Sequence, residues 1–131
     1  MIPAKKGCII NRASVAGCIG GGSSHAYTSS KHAVVGLTKN TAVELGKFGI
    51  QVNCLSPYVI VTPLNEKYFN VNEGKNDGLY SNLKGVHSVP NNVAEAAVFL
   101  AGDESKYISG HNLVIDGGFT KVNEGLSEFG K

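Results

Sequence analysis

Two short apolar runs, Gly7-Cys8-Ile9-Ile10-Asn11 and Ile50-Gln51-Val52-Asn53-Cys54-Leu55, flank one long helical pattern, and this alternation constrains the fold most. Each run is too brief for a buried helix and too apolar for a surface strand that alternates, so both read as buried strands. Between them, Val34, Leu37, Thr38, Thr41 and Leu45 recur at helical spacing, predicting a helix over 27–45 that Gly46 and Gly49 stop. Strand, helix, strand implies a parallel pair joined by a right-handed crossover. Pro90 suits the first turn of a second helix, with Val93, Ala96, Ala97 and Leu100 on its apolar face and Gly102 at its end. A last strand is expected over 112–115, before the turn Asp116-Gly117-Gly118. The order β-α-β-(lid)-α-β belongs to a doubly wound α/β sheet, whose ligands lie beyond the C-terminal strand ends. The lid is segment 62–88, polar and without one sustained period, in which Tyr68, Phe69 and Tyr80 read as anchors to the core. The tail after Val122 reads as loosely ordered.

Tyr27 and Lys31 are four residues apart, on one helix face and one turn from each other. An ammonium near a phenol favours the phenolate, which suits a proton donor or acceptor. On spacing alone such a pair is ordinarily a surface neighbour pair. Ser14, 13 residues upstream of Tyr27 and just past the first strand, changes that balance. A hydroxyl at a strand end can meet a helix start and bond the same substrate oxygen.

Ser14 followed by Tyr27-x-x-x-Lys31 and Ala33-Val34-Val35-Gly36-Leu37-Thr38 resembles the active-site segment of the short-chain dehydrogenase/reductase family. Asn53-Cys54-Leu55-Ser56-Pro57 and Ser109-Gly110-His111-Asn112-Leu113-Val114-Ile115-Asp116-Gly117-Gly118 resemble two further family segments in the expected order. Tyr58, where the family usually has glycine, and Lys31-His32-Ala33-Val34 are similar to a plant subgroup that includes secoisolariciresinol dehydrogenase-like enzymes. The resemblance implies hydride exchange between a nicotinamide cofactor and a secondary alcohol or ketone, in plant specialised metabolism. It implies Tyr27 as general acid/base, Lys31 as the cation that favours its ionised form and holds the nicotinamide ribose, and Ser14 as a hydrogen-bond donor to the substrate oxygen. It implies cofactor contacts at Tyr27, Lys31, Pro57, Ile60 and Thr62. NAD is the expected cofactor, with NADP not excluded. The resemblance also implies a dimer or tetramer. Arg12 departs from the small or apolar residue usual before the serine segment.

The resemblance covers the C-terminal half of the family's domain. These 131 residues contain neither G-x-G-x-x-G nor the P-loop pattern, and Gly20-Gly21-Gly22 fits neither. The expectation is one incomplete domain over 1–131, a truncated form with little activity alone, whose first strand is an open edge. The alternative is a non-catalytic oligomerisation partner of full-length relatives.

Composition narrows the classes. Net charge is +2, with Lys and Arg scattered, which does not favour nucleic acid or an anionic membrane. No apolar run approaches the ~20 residues of a membrane span, and 1–6 lacks a signal peptide's apolar core. Cys8, Cys18 and Cys54 have no metal-ligand spacing and read as reduced thiols of a cytoplasmic protein. A hydrolase built on Cys18, His25 or His32 finds no supporting motif; His25 reads as a loop residue at the pocket rim.

Overall fold

The computed structural model describes residues 1–60, 62, 82–83, 85–86 and 88–121. Most of the expected lid, including Tyr68, Phe69 and Tyr80, and the tail from Val122 onward lie outside the described residues. Three parallel strands stand in the order β1-β2-β3: β1 is Gly7–Arg12, β2 is Ile50–Pro57 and β3 is Asn112–Ile115. Gly7 to Arg12 pair with Ile50 to Leu55, and Cys54 to Pro57 pair with Asn112 to Ile115. The register puts every strand's C-terminal end on one rim. Helix α1 spans His25–Gly46 and α2 spans Pro90–Ala101. His25 is thus the first residue of α1, and not part of the preceding loop.

Strand alternation sends neighbouring side chains to opposite faces. Ile9, Ile50 and Val52 pack with Ala42 of α1, and the Asn11 amide donates to Thr38 of α1 at 3.0 Å. On the other face the Cys8 thiol donates to the Leu100 carbonyl of α2 at 3.3 Å. There Gln51 donates to the carbonyls of Ser105 and Ile108 at 2.6 and 3.0 Å, clamping the chain that follows α2. Asn53, fully buried, donates to the Ile108 carbonyl at 2.8 Å and accepts from His111 N–H at 3.0 Å. The strands advance in one direction while the helices lie on opposite faces, so the two crossovers have opposite hands. With β1-α1-β2 right-handed, as sterics favour, β2-α2-β3 is the left-handed one.

Helix α1 starts where the Ser24 hydroxyl accepts the Tyr27 N–H at 3.3 Å, a side-chain cap on an otherwise orphaned donor. It ends before Gly49, whose φ of +72° suits glycine. Its buried stripe differs from the expected one. Thr38 and Ala42 are buried, but Leu37 is 57% exposed. Apolar residues are spread around α1, so period alone does not select a face; partners on the sheet do. Helix α2 keeps its expected face, with Leu100 buried and Val93, Ala96 and Ala97 half-buried.

Candidate active site

Ala13 continues the ladder beyond β1 by donating its N–H to the Leu55 carbonyl at 2.8 Å. The chain then turns through a 3-10 segment, Val15–Gly17, capped by Ser14. The Ser14 Oγ accepts the Ala16 N–H at 3.2 Å. Its hydroxyl hydrogen is left without a protein acceptor among the described residues. Gly17 lets this turn lie against α1, since a Cβ there would stand 2.7 Å from the Lys31 carbonyl oxygen. That close approach brings Ser14 to the start of α1.

Tyr27 sits in the first turn of α1, 44% exposed. The Lys31 ammonium lies 5.4 Å from the centroid of its ring, within cation–π range, and donates to the Arg12 carbonyl at 3.2 Å. Lys31 therefore ties α1 to the end of β1. Past β2, Tyr58 donates its N–H to the Ile115 carbonyl at 2.9 Å and stacks its ring on Phe119, centroids 4.2 Å apart. Burial pushes the Tyr58 phenol up, which keeps it neutral. Phe119 is set in place by Asp116, whose carboxylate accepts the N–H groups of Gly118 at 3.0 Å and Thr120 at 2.7 Å. Partial burial would raise this carboxyl, but the bonds from Thr120 and Gly118 and the Lys121 charge outweigh it and hold it below its ordinary value.

These pieces surround an open cleft of about 780 Å³ at the strand ends. Five of the six expected site residues line it: Ser14, Tyr27, Pro57, Ile60 and Thr62. Lys31 does not, standing outside the lining with its cation against the Tyr27 ring. Gly22 and Ser23 of the glycine-rich loop also line the cleft. Sequence reasoning missed the wall made by Val93, Ala94 and Ala97 of α2, and missed Phe119. The first arises from contact across a long connection and leaves no local signal. The second had one, the Asp116-Gly117-Gly118 turn, whose glycines carry φ of +57° and +84°. Among the described residues no three His, Cys, Asp or Glu side chains gather as metal ligands, and no helix is long and apolar enough to cross a membrane. Cys8, Cys18 and Cys54 are free, and desolvation raises the pKa of Cys8 and Cys54.

A parallel sheet covered on both faces, with a Ser-Tyr-Lys constellation at its C-terminal rim, defines a Rossmann-type α/β class. Residues 1–120 match the family model described as enoyl-(acyl carrier protein) reductase. Secoisolariciresinol dehydrogenase of Forsythia intermedia is 53% identical over 133 residues, covering 98% of this chain and 48% of that protein. The (+)-borneol dehydrogenase 2 of Salvia officinalis is 51% identical over 138 residues, covering 98% and 49%. A solved structure, 4-hydroxyisoleucine dehydrogenase complexed with NADH, superposes with a TM-score of 0.77 at 41% identity, covering 92% of this chain and 50% of that one. The chain belongs to the short-chain dehydrogenase/reductase family. It spans about half the length of the curated relatives it matches.

Proposed function

We propose that the cleft is the active site of an oxidoreductase that moves a hydride between a nicotinamide cofactor and a secondary alcohol or ketone of plant specialised metabolism. The observation that carries this reading is the convergence of Ser14 and Tyr27, from separate elements, on one cleft with the Lys31 cation against the tyrosine ring. The cleft's volume is within the ~300–1,000 Å³ usual for ligand sites, and its wall at Pro57–Ile60 is apolar enough to take a flat ring. The residues therefore fit a nicotinamide. Tyr27, Pro57, Ile60 and Thr62, which line the cleft, would hold it, and Lys31 would have to swing from the Arg12 carbonyl to join them. When bound it supplies or accepts the hydride. NAD is the proposed cofactor, supported by the NADH-bound relative; NADP is compatible with the same residues.

In the direction of reduction, the Tyr27 hydroxyl gives its proton to the substrate oxygen as negative charge develops there. The Ser14 hydroxyl, its lone pair engaged by Ala16 N–H, donates its hydrogen to the same oxygen. The Lys31 ammonium, 5.4 Å from the centroid of the Tyr27 ring, is the nearby positive charge and is held there by the Arg12 carbonyl. In oxidation Tyr27 takes the alcohol proton back, while Ser14 keeps its hydrogen and only its hydrogen bond to the substrate oxygen changes.

We further propose that residues 1–131 make up the active-site half of one domain and turn over little by themselves. The support is the lack of a glycine-rich pyrophosphate turn within these residues. A second reading, a non-catalytic oligomerisation partner, is favoured by Leu37 and Val43, exposed on α1; failure to co-purify with a full-length relative would count against it. The test of the main reading joins this chain to the N-terminal half of secoisolariciresinol dehydrogenase and follows NADH consumption with a ketone. The hybrid should turn over and the 131-residue chain alone should not. A folded hybrid that binds NADH without turnover overturns the catalytic reading. Turnover by the chain alone, lost in Tyr27→Phe, overturns the half-domain reading.

A further inference from the structure

Arg12 is the only charged residue among the described residues that line the cleft. It ends β1, two residues before Ser14, and strand alternation turns it to the face that α2 covers. Among the described residues its guanidinium makes no hydrogen bond or ion pair, whereas the one ion pair there joins Lys6 and Asp103 at 3.9 Å, far along the sheet from the rim. The backbone carbonyl of this same residue holds the Lys31 ammonium at 3.2 Å. Two cations thus meet at one residue, without a carboxylate beside them among the described residues. The first turns of α1 and α2, which contribute Tyr27, Pro90 and Val93 to the lining, carry no acidic residue that would offset their positive ends.

A solvated arginine on an open surface is an ordinary feature. Here Arg12, although exposed, shares the lining of a concave cleft with Val93, Ala97 and Pro57, and apolar walls focus the field of a charge at such a cleft. Arginine's planar fork matches a carboxylate or phosphate with two parallel bonds. We infer that the cleft takes a ligand bearing an anionic group, a carboxylate or a phosphate, seated on the Arg12 guanidinium within one arginine's reach of Ser14. The inference names the ligand class of the site proposed above and rests on that reading for its location. Anion binding itself requires no turnover.

The test is a titration of the 131-residue chain, read from the backbone amide resonances of Ser14, Ala16 and Tyr27. The probes are levulinate, its neutral methyl ester, and inorganic phosphate. Levulinate should bind at least about tenfold more tightly than the ester, as expected of a charge-assisted pair. That preference should fall to about twofold or less in Arg12→Gln, return in part in Arg12→Lys, and shrink as salt is added. Levulinate tighter than phosphate assigns the anion to a substrate carboxylate; phosphate tighter assigns it to a phosphate-bearing ligand. Both support the site. Equal binding of acid and ester, or an undiminished preference in Arg12→Gln, overturns it. If the hybrid dehydrogenase proves inactive while the levulinate preference holds, the dehydrogenase reading fails and this one stands.

Discussion

Beneath α1, Ile50 and Val52 of β2 pack on Ala42, and on the opposite face Asn53 and Gln51 clamp the chain after α2 through four hydrogen bonds. Further along the same strands, at their C-terminal rim, Ser14, Tyr27, Tyr58 and Arg12 surround open space. In the body of the sheet the side-chain amides of Asn11, Gln51 and Asn53 are bonded to other parts of the chain. Among the described residues the rim keeps a serine hydroxyl without a protein acceptor, a half-exposed tyrosine and an unpaired guanidinium. Groups left unspent by the fold are what a site needs, so substitutions in the two regions should have separable consequences: stability in the body, chemistry at the rim.

The largest expected stability effect lies in the body. Leu100→Ala, at a side chain only 1% exposed, should cost about 2–5 kcal/mol in urea unfolding. A loss under about 1 kcal/mol would mean that α2 does not depend on its buried stripe, and the division would blur. Gly17→Ala falls between the regions. Its new methyl would press on the Lys31 carbonyl, with backbone on both sides, so about 1–3 kcal/mol is expected. The same change should displace Ser14 from Tyr27 and be visible in amide shifts at both. Wild-type stability and unchanged shifts would show that this contact does not couple body and rim.

The smallest effect concerns pH. Asp116 has its carboxyl held below its ordinary value, so its contribution is present above the unfolded value near ~3.9 and is lost as pH falls through the lower folded one. Acid titration should therefore loosen the Phe119–Tyr58 stack below pH ~4 while the body stays folded. Asp116→Asn should lack that step; persistence of the step in this variant would assign it to another group.

Legibility in the sequence followed the same division. Strands β1, β2 and β3 were visible as short apolar runs, the central β2 being buried along nearly all of its length. Ser14, Tyr27 and Lys31 stood out because the proposed chemistry calls for those residue types at that spacing and they resemble the family's active-site segment. The inward stripe of α1 was not, since Leu37 fits the helical period as well as Thr38 and Ala42 do, and only the Asn11 amide and the Ile50–Val52 surface distinguish them. Nor was the α2 wall of the cleft, which depends on the face that the second crossover takes. Arg12 stood out in the sequence as a departure, but only the cleft shows it to be the one charge among the described lining residues.

The most direct test of the central claim is Tyr27→Phe in the hybrid dehydrogenase, with turnover and unfolding midpoint measured on the same preparation. Loss of a general acid/base should lower turnover by about 10²–10⁴-fold. The unfolding midpoint should stay where it was, because the hydroxyl of Tyr27 makes no hydrogen bond among the described residues. Near-normal turnover in Tyr27→Phe, or a loss matched by a fall in stability, would contradict the assignment of the rim to chemistry.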